Sequence, residues 1–427
     1  MMESVPRPRW GWKSKLFAAF ALWGIVAGGL HWRLRSQVEA YYAEMRGQGQ
    51  PTNIAELKSF YKVPEGVTDS SKEWIPALDE ASDAIMKTRE PESPPLFIND
   101  EIPELGQPWE QLSAAQEFLH RLAPQIQAIH RATEIGGQAR FPDSSGHYRD
   151  VAKLLNLETA VATRRGESAR SLKAVQALLA MANAQRAQTD MIAAMTTITI
   201  RDTGISTMEI WLPHSQWADE DLASLQDLVC EVDLRREFQN ALAGDWIRDM
   251  EGLEEEGQFP FRTINEKEYL QQYSDARKEL SVPWHEMISR FRRFDSRVNS
   301  LKGNRFAMWT RSAFVKYAPR LEMLSQVMAI AAARQTSTNV GLAAQRYRLR
   351  YGRLPTSLGE IEPDLFGKLP DGTLPLIDPF DGQPLRFNLN ELRLVIYSVG
   401  MNETDEGGVK AHYHDGYQDI GFTVTRK

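Results

Sequence analysis

"RYRLRYGRLPTSLGEIEP" (Arg346 to Pro363) and "DPFDGQPLRFNLNELRLVIYSVG" (Asp378 to Gly400) decide how this chain ends. In the first, Gly352 is expected to stop a helix, and Pro355 prevents its continuation. The second opens on Asp378-Pro379 and Asp381-Gly382, pairs that turn a chain. Short strands are expected at Leu385–Leu389, Leu392–Val399 and Asp419–Thr425. Leu394, Ile396 and Ser398 fall on one face of the middle strand, Val395, Tyr397 and Val399 on the other. That run is apolar on both faces, so it is expected at the centre of an antiparallel sheet. The sheet should fold back onto the helix ending at Tyr351, whose apolar face would otherwise be left in water.

Upstream of that helix the period changes from two to 3.6. "VAKLLNLETAVATRRGESARSLKAVQALLAMANAQ" (Val151 to Gln185) places Val151, Leu154, Leu155 and Val161 on one stripe and Leu172, Val175, Leu179 and Ala182 on another. Gly166 in "RRGE" closes a helical hairpin. A third helix is expected up to Pro213 and a fourth from Asp219 through "EDLASLQDLVCEVDLRREFQNAL". Gly252 to Val282 is polar and reads as surface. A long helical run is expected over Arg305–Tyr351. Helix pairs of this kind resemble tetratricopeptide-like repeats, but no fixed period is present.

At the other end, Leu16 to Leu30 ("LFAAFALWGIVAGGL") holds no charge, and His31 and Trp32 extend the run to 17 residues. At about 1.5 Å per residue this spans roughly 25 Å, near the lower limit for a membrane helix. Trp10, Trp12, Trp23 and Trp32 suit the interfaces. Arg7, Arg9, Lys13 and Lys15 before the run slightly outweigh Arg33, Arg35 and Arg46 after it, which favours a cytoplasmic N-terminus. The reading is an uncleaved signal-anchor in the inner membrane, with residues 33–427 periplasmic. A buried soluble helix is the alternative. Asn53 or Thr52, and then Ser70 or Ser71, are positioned to cap short helices that follow.

Hydrophobic content of 42% and charged content of 25% suit a folded chain, and a net charge of −7 argues against nucleic acid as a partner. The basic stretch Ser289–Arg305 and the acidic run Asp249–Glu256 read as solvated helix faces or as a docking site for an anionic partner. The single cysteine, Cys230, excludes an intramolecular disulfide and reads as a buried thiol. His285-Glu286 lacks the second histidine of a metalloprotease helix. His412, His414 and Asp415 are the one local cluster of metal-type ligands. No nucleophile elbow, phosphate loop or dinucleotide fingerprint is present.

Three pieces carry a family resemblance: "AAQRYRLRYGRLPTSLGEI", "DPFDGQPLRF" and "LVIYSVGMNETDEGG" with the later "DI". Their order across Ala343–Ile420 resembles the type II secretion major pseudopilins. The N-terminal helix has neither the prepilin peptidase site nor the early glutamate of a pilin, so the chain is not itself a pilus subunit. Its layout resembles membrane-anchored envelope proteins of planctomycete-type bacteria. The resemblance implies a calcium-binding last loop, with Asn402, Asp405 and Asp419 as the matching oxygens and the Ser398 hydroxyl or nearby carbonyls beside them. Turn chemistry alone is the alternative way to hold that loop.

The expected fold is mainly α: 1–15 cytoplasmic, 16–32 the membrane helix, 33–108 a helical stalk and irregular connector, 109–304 an irregular α-helical domain, and 305–427 a long helix with a small antiparallel sheet packed on it. The expected role is a membrane-tethered binding or scaffold protein with a protein partner and no catalytic residues. The alternative is an envelope hydrolase with its site in a cleft between helical and β modules.

Overall fold

The computed structural model describes residues 12–61, 63, 65–88, 102–141, 148–185, 190–256, 261–370, 372, 374–408 and 418–426. The His412–Asp415 cluster, much of the proline-rich connector and the basic residues before Trp12 lie outside this set. The helices are α1 Trp12–Gly47, α2 Ile54–Phe60, α3 Ser71–Lys87, α4 Leu112–Arg121, α5 Ala123–Ile135, α6 Tyr148–Arg164, α7 Ser168–Ala184 and α8 Met191–Trp211. They continue with α9 Asp219–Cys230, α10 Leu234–Glu256, α11 Arg262–Glu279, α12 Trp284–Lys302, α13 Arg305–Tyr317 and α14 Leu321–Tyr351. The strands are β1 Arg386–Leu389, β2 Arg393–Ser398 and β3 Ile420–Thr425. Among the described residues no strand precedes β1, as the change of period at Gly352 predicts. The protein is mainly α with a small C-terminal antiparallel sheet.

α1 is the described helix long and apolar enough to cross a membrane. Its first half is exposed nearly all round, with Phe17, Phe20, Trp23 and Ile25 turned outward. The second half is different: Val38 and Met45 are buried among residues of α10–α14. Arg35 and Tyr42 both reach the buried Glu266 of α11.

Two helical cores make up the body. Trp74, Phe118, Ile129, Leu155 and Leu178 hold α3 through α7 together. Phe238, Trp246, Tyr269, Phe291 and Phe314 centre the other, which includes α8 and α10–α14. The α6–α7 hairpin turns at Gly166, with φ of +73°. Asn53 caps α2 by accepting from the Glu56 amide at 2.9 Å. At α3 the N-cap Ser70 makes no side-chain cap bond, and Asp69 just before it accepts from the Ser71 amide at 3.0 Å.

Three details differ from the pattern reading. The fourth helix breaks after Cys230, because Asp233 accepts from the amides of Arg235 and Arg236 and starts α10 afresh. The run Arg305–Tyr351 breaks at Pro319, between α13 and α14. Segment 252–282 is not all surface among its described residues: α11 buries Tyr269, Leu270, Tyr273 and Ala276. Its low hydrophobicity hides this, because buried Asn265 and Glu266 are satisfied by partners on α13 and α1.

α14 is shared between cores. Leu324 and Met328 lie in the second helical core, while Val340, Leu342, Ala344 and Tyr347 lie under the sheet. The strand order is β1-β2-β3, all antiparallel, with Leu394 opposite Val424 and Ile396 opposite Phe422. β2 is therefore central, and Leu394 and Ile396 pack on α14 with Phe422 and Val424. The approach is close: a Cβ on Gly341 would stand 2.3 Å from Phe422 Cδ1. The free edge of β3 is clamped to helices, which blocks further strand pairing. The Thr423 amide donates to Glu209 at 2.6 Å, and Arg334 of α14 donates to the Gly421 carbonyl while pairing with Asp202.

Candidate functional site

Two turns shape the outer side of the β module. In the first, Asp378 is fully buried and every oxygen direction is taken. Its Oδ1 accepts from the Phe380 amide at 2.9 Å and the Ser398 hydroxyl at 2.7 Å. Its Oδ2 accepts from the Val399 amide at 2.9 Å and Arg386 Nη1 at 2.8 Å. Arg386 also pairs with Asp381, so the guanidinium fork spans the turn. Gly382, with φ of +71°, lies against the His285 ring, where a Cβ would come within 2.5 Å. This turn fastens β2 to the helical body, and Phe380 and Val399 add an apolar seam with Ile288 and Ala333.

The second feature is the loop after Gly400, which folds over the outer face of β2. Gly408 packs so near Val395 and Tyr397 that a Cβ would meet them at 3.0 and 3.2 Å. Asn402 accepts from the Thr404 amide at 3.0 Å and donates to Glu406 at 2.6 Å. Asp405 accepts from the Tyr397 hydroxyl and the Gly407 amide, each at 2.9 Å. Asp419, 1% exposed, accepts from the Gly408 amide at 2.7 Å through Oδ2. Its Oδ1 is buried with no hydrogen-bond partner, and so is Oε2 of Glu406. Burial pushes the Asp419 carboxyl up to about 6, and the neighbouring carboxylates of Glu406 and Asp405 add to the rise.

The structure thus brings Asp405 and Asp419 to one loop over β2, whereas the oxygen of Asn402 turns back on its own backbone. Ser398 belongs to the other turn. Glu406, missed in the sequence, is the residue whose lone oxygen shares the problem of Asp419: two carboxylates there need a proton or a cation between them. Oxygen donors of this kind suit calcium, a hard cation. Among the described residues, no three His, Cys, Asp or Glu side chains converge to hold a metal. Ligation would therefore have to include carbonyls.

A cleft of about 350 Å³ lies between α10, α12, α14 and the segment leading into the β module. Leu369, Leu374, Leu376, Ile377 and three prolines line one wall, with Trp284 and Val232 on the other. Among the described residues that line it the one carboxylate, Asp233, caps α10. Arg235 lies over the Trp284 ring at 4.7 Å and donates to the Leu280 and Val282 carbonyls. Gln335 donates to the Val229 and Val232 carbonyls. The polar groups that line it are committed to backbone, which suits recognition of an apolar segment better than proton transfer.

Elsewhere, Cys230 is buried and its thiol is pushed up to about 12 by burial, with Asp227 adding to it. Arginines of the basic stretch are paired within the fold: Arg290 with Glu279 and Glu286, Arg292 with Glu322, and Arg297 with Glu268. None of these pairs reaches the acidic run. No protein-family model, curated protein or solved structure matches the chain.

Proposed function

We propose that the chain is a single-pass, membrane-tethered binding or scaffold protein whose body stands on the periplasmic side of the inner membrane and holds an apolar segment of a protein partner. The observation that carries this reading is α1. One unbroken helix is exposed on all sides over its apolar half and then packs into the body through Val38 and Met45. A soluble core helix would bury its apolar half instead. The anchor and the body are thereby one piece, so a partner is held at a set height above the bilayer.

The cleft is the site we assign to the partner, since its proline- and leucine-lined wall offers apolar surface and its polar groups are occupied. The likeness to pseudopilins supports a role beside secretion or envelope assemblies. It also supports calcium as the cation that would neutralise Asp419 and Glu406. A photo-crosslinking side chain at Ile377, on the cleft rim and 54% exposed, tests the reading in native membranes. It is expected to give a discrete protein adduct that Leu374→Asp abolishes, with none from the same probe at Leu392. Equal labelling from both positions, or an adduct indifferent to Leu374→Asp, would refute it.

A further inference from the structure

We infer that the body makes a second membrane contact, in which Phe261, Phe306 and Trp309 seat in the interfacial layer of the bilayer. This rests on the reading of Leu16–Trp32 as a span. His31, at the end of the charge-free run, lies 3.3 Å from the Thr263 hydroxyl at the start of α11. Further along, Arg35 meets Glu266, and Gln48 accepts from Arg277. The two helices therefore run parallel, and the N-terminal end of α11 is level with the end of the apolar run. That end faces the bilayer.

The three rings gather there. Trp309 packs edge-on against Phe261, with centroids 4.6 Å apart, and Phe306 lies 6.0 Å from Trp309. Phe306 and Trp309 are nonetheless 67% and 65% exposed. The fold places α13 alongside α11: Asn265 of α11 donates to the Thr310 carbonyl and accepts from the Phe314 amide. Exposed aromatics of this size mark a contact surface. Tryptophan and its amphipathic kin settle at the headgroup level.

A lipid surface is the occupant the geometry favours, because the bilayer around Leu16–Trp32 already fills the space at that height. Charge does not drive the contact. α10 runs toward the same end with Glu251 and Glu255 exposed, which offsets the nearby Arg262 and Arg305. The contact should therefore persist on a zwitterionic membrane.

The test uses the full chain in phosphatidylcholine vesicles that contain brominated lipid. An environment-sensitive fluorophore is placed in turn on Phe306→Cys, Trp23→Cys and Leu392→Cys, the buried Cys230 remaining unlabelled. The probe at 306 is expected to emit to the blue and lose most of its emission to bromine, as at 23, while the probe at 392 keeps its emission. Quenching at 23 with none at 306 would overturn the second contact and leave the span standing. No quenching at 23 would overturn the span, and this contact with it. Quenching at 306 that appears only when phosphatidylglycerol is added would overturn the aromatic basis.

Discussion

The turn at Asp378–Gly382 and the loop at Met401–Gly408 flank the same strand, yet they use buried carboxylates in opposite ways. Asp378 is closed by the fold itself, with two backbone amides, a hydroxyl and an arginine on its two oxygens. Asp419 has one amide on one oxygen, and the other oxygen is buried without a partner. A satisfied buried charge rigidifies, whereas an unsatisfied one costs stability until something arrives to neutralise it. The first turn is therefore a clasp, and the second leaves carboxylate oxygens of Asp419 and Glu406 buried without a hydrogen-bond partner.

The largest effect that would sharpen this contrast is expected at the clasp. Asp378→Ala leaves Arg386 with Asp381 alone and removes the acceptor of the Ser398 hydroxyl and of the Phe380 and Val399 amides, and should cost about 3–5 kcal/mol in a urea titration. A loss below about 1 kcal/mol would mean that the turn is held by something else. Next comes the contact beneath the sheet. Gly341→Ala forces a methyl into the Phe422 ring and should cost about 1–3 kcal/mol. An unchanged midpoint would show that the sheet does not press on α14 there.

The smallest effect belongs to the loop, and its sign is opposite. The folded Asp419 carboxyl, at about 6 against an ordinary value of 3.8, holds its proton more tightly than the unfolded chain does. The contribution of this carboxyl to stability should thus fall as pH rises from about 3.8 to about 6 and stay level above. In chelator, Asp419→Asn should flatten this decline and raise the melting temperature at pH 7, where the parent bears an uncompensated charge. Calcium should raise the melting temperature of the parent at pH 7 and leave the variant unmoved. A parent whose melting ignores both pH over this window and calcium would erase the difference between the two loops.

Much of the module was legible because its signals are local. Gly352, Pro355 and the Asp-Gly pair punctuate the chain whatever surrounds them, and two apolar faces on Leu394–Val399 can only mean a central strand. The depth of Asp378 was not legible. An Asp-Pro pair reads as a turn, and nothing in it tells that Ser398 and Val399, twenty residues later, close over the side chain. Segment 252–282 was misread for the same reason. Tyr269 and Glu266 look solvated until α1 and α13 supply their partners. At the loop, Asp405 and Asp419 could be named by resemblance alone, but Glu406 becomes visible only when its oxygen is seen buried beside them. A cleft between the helical and β modules was expected only as the site of the alternative, a hydrolase. Its proline-lined wall and the commitment of Asp233 and Arg235 to backbone emerge only from the packing.

The most direct measurement is the topology of the full chain in its own membrane. The account predicts that it stays in the membrane fraction after alkaline washing, that protease added to spheroplasts digests the body from Arg33 onward, and that a reporter fused after Lys427 works only outside the cytoplasm. Recovery of the intact chain in the soluble fraction, or a C-terminal reporter that works only in the cytoplasm, would contradict it.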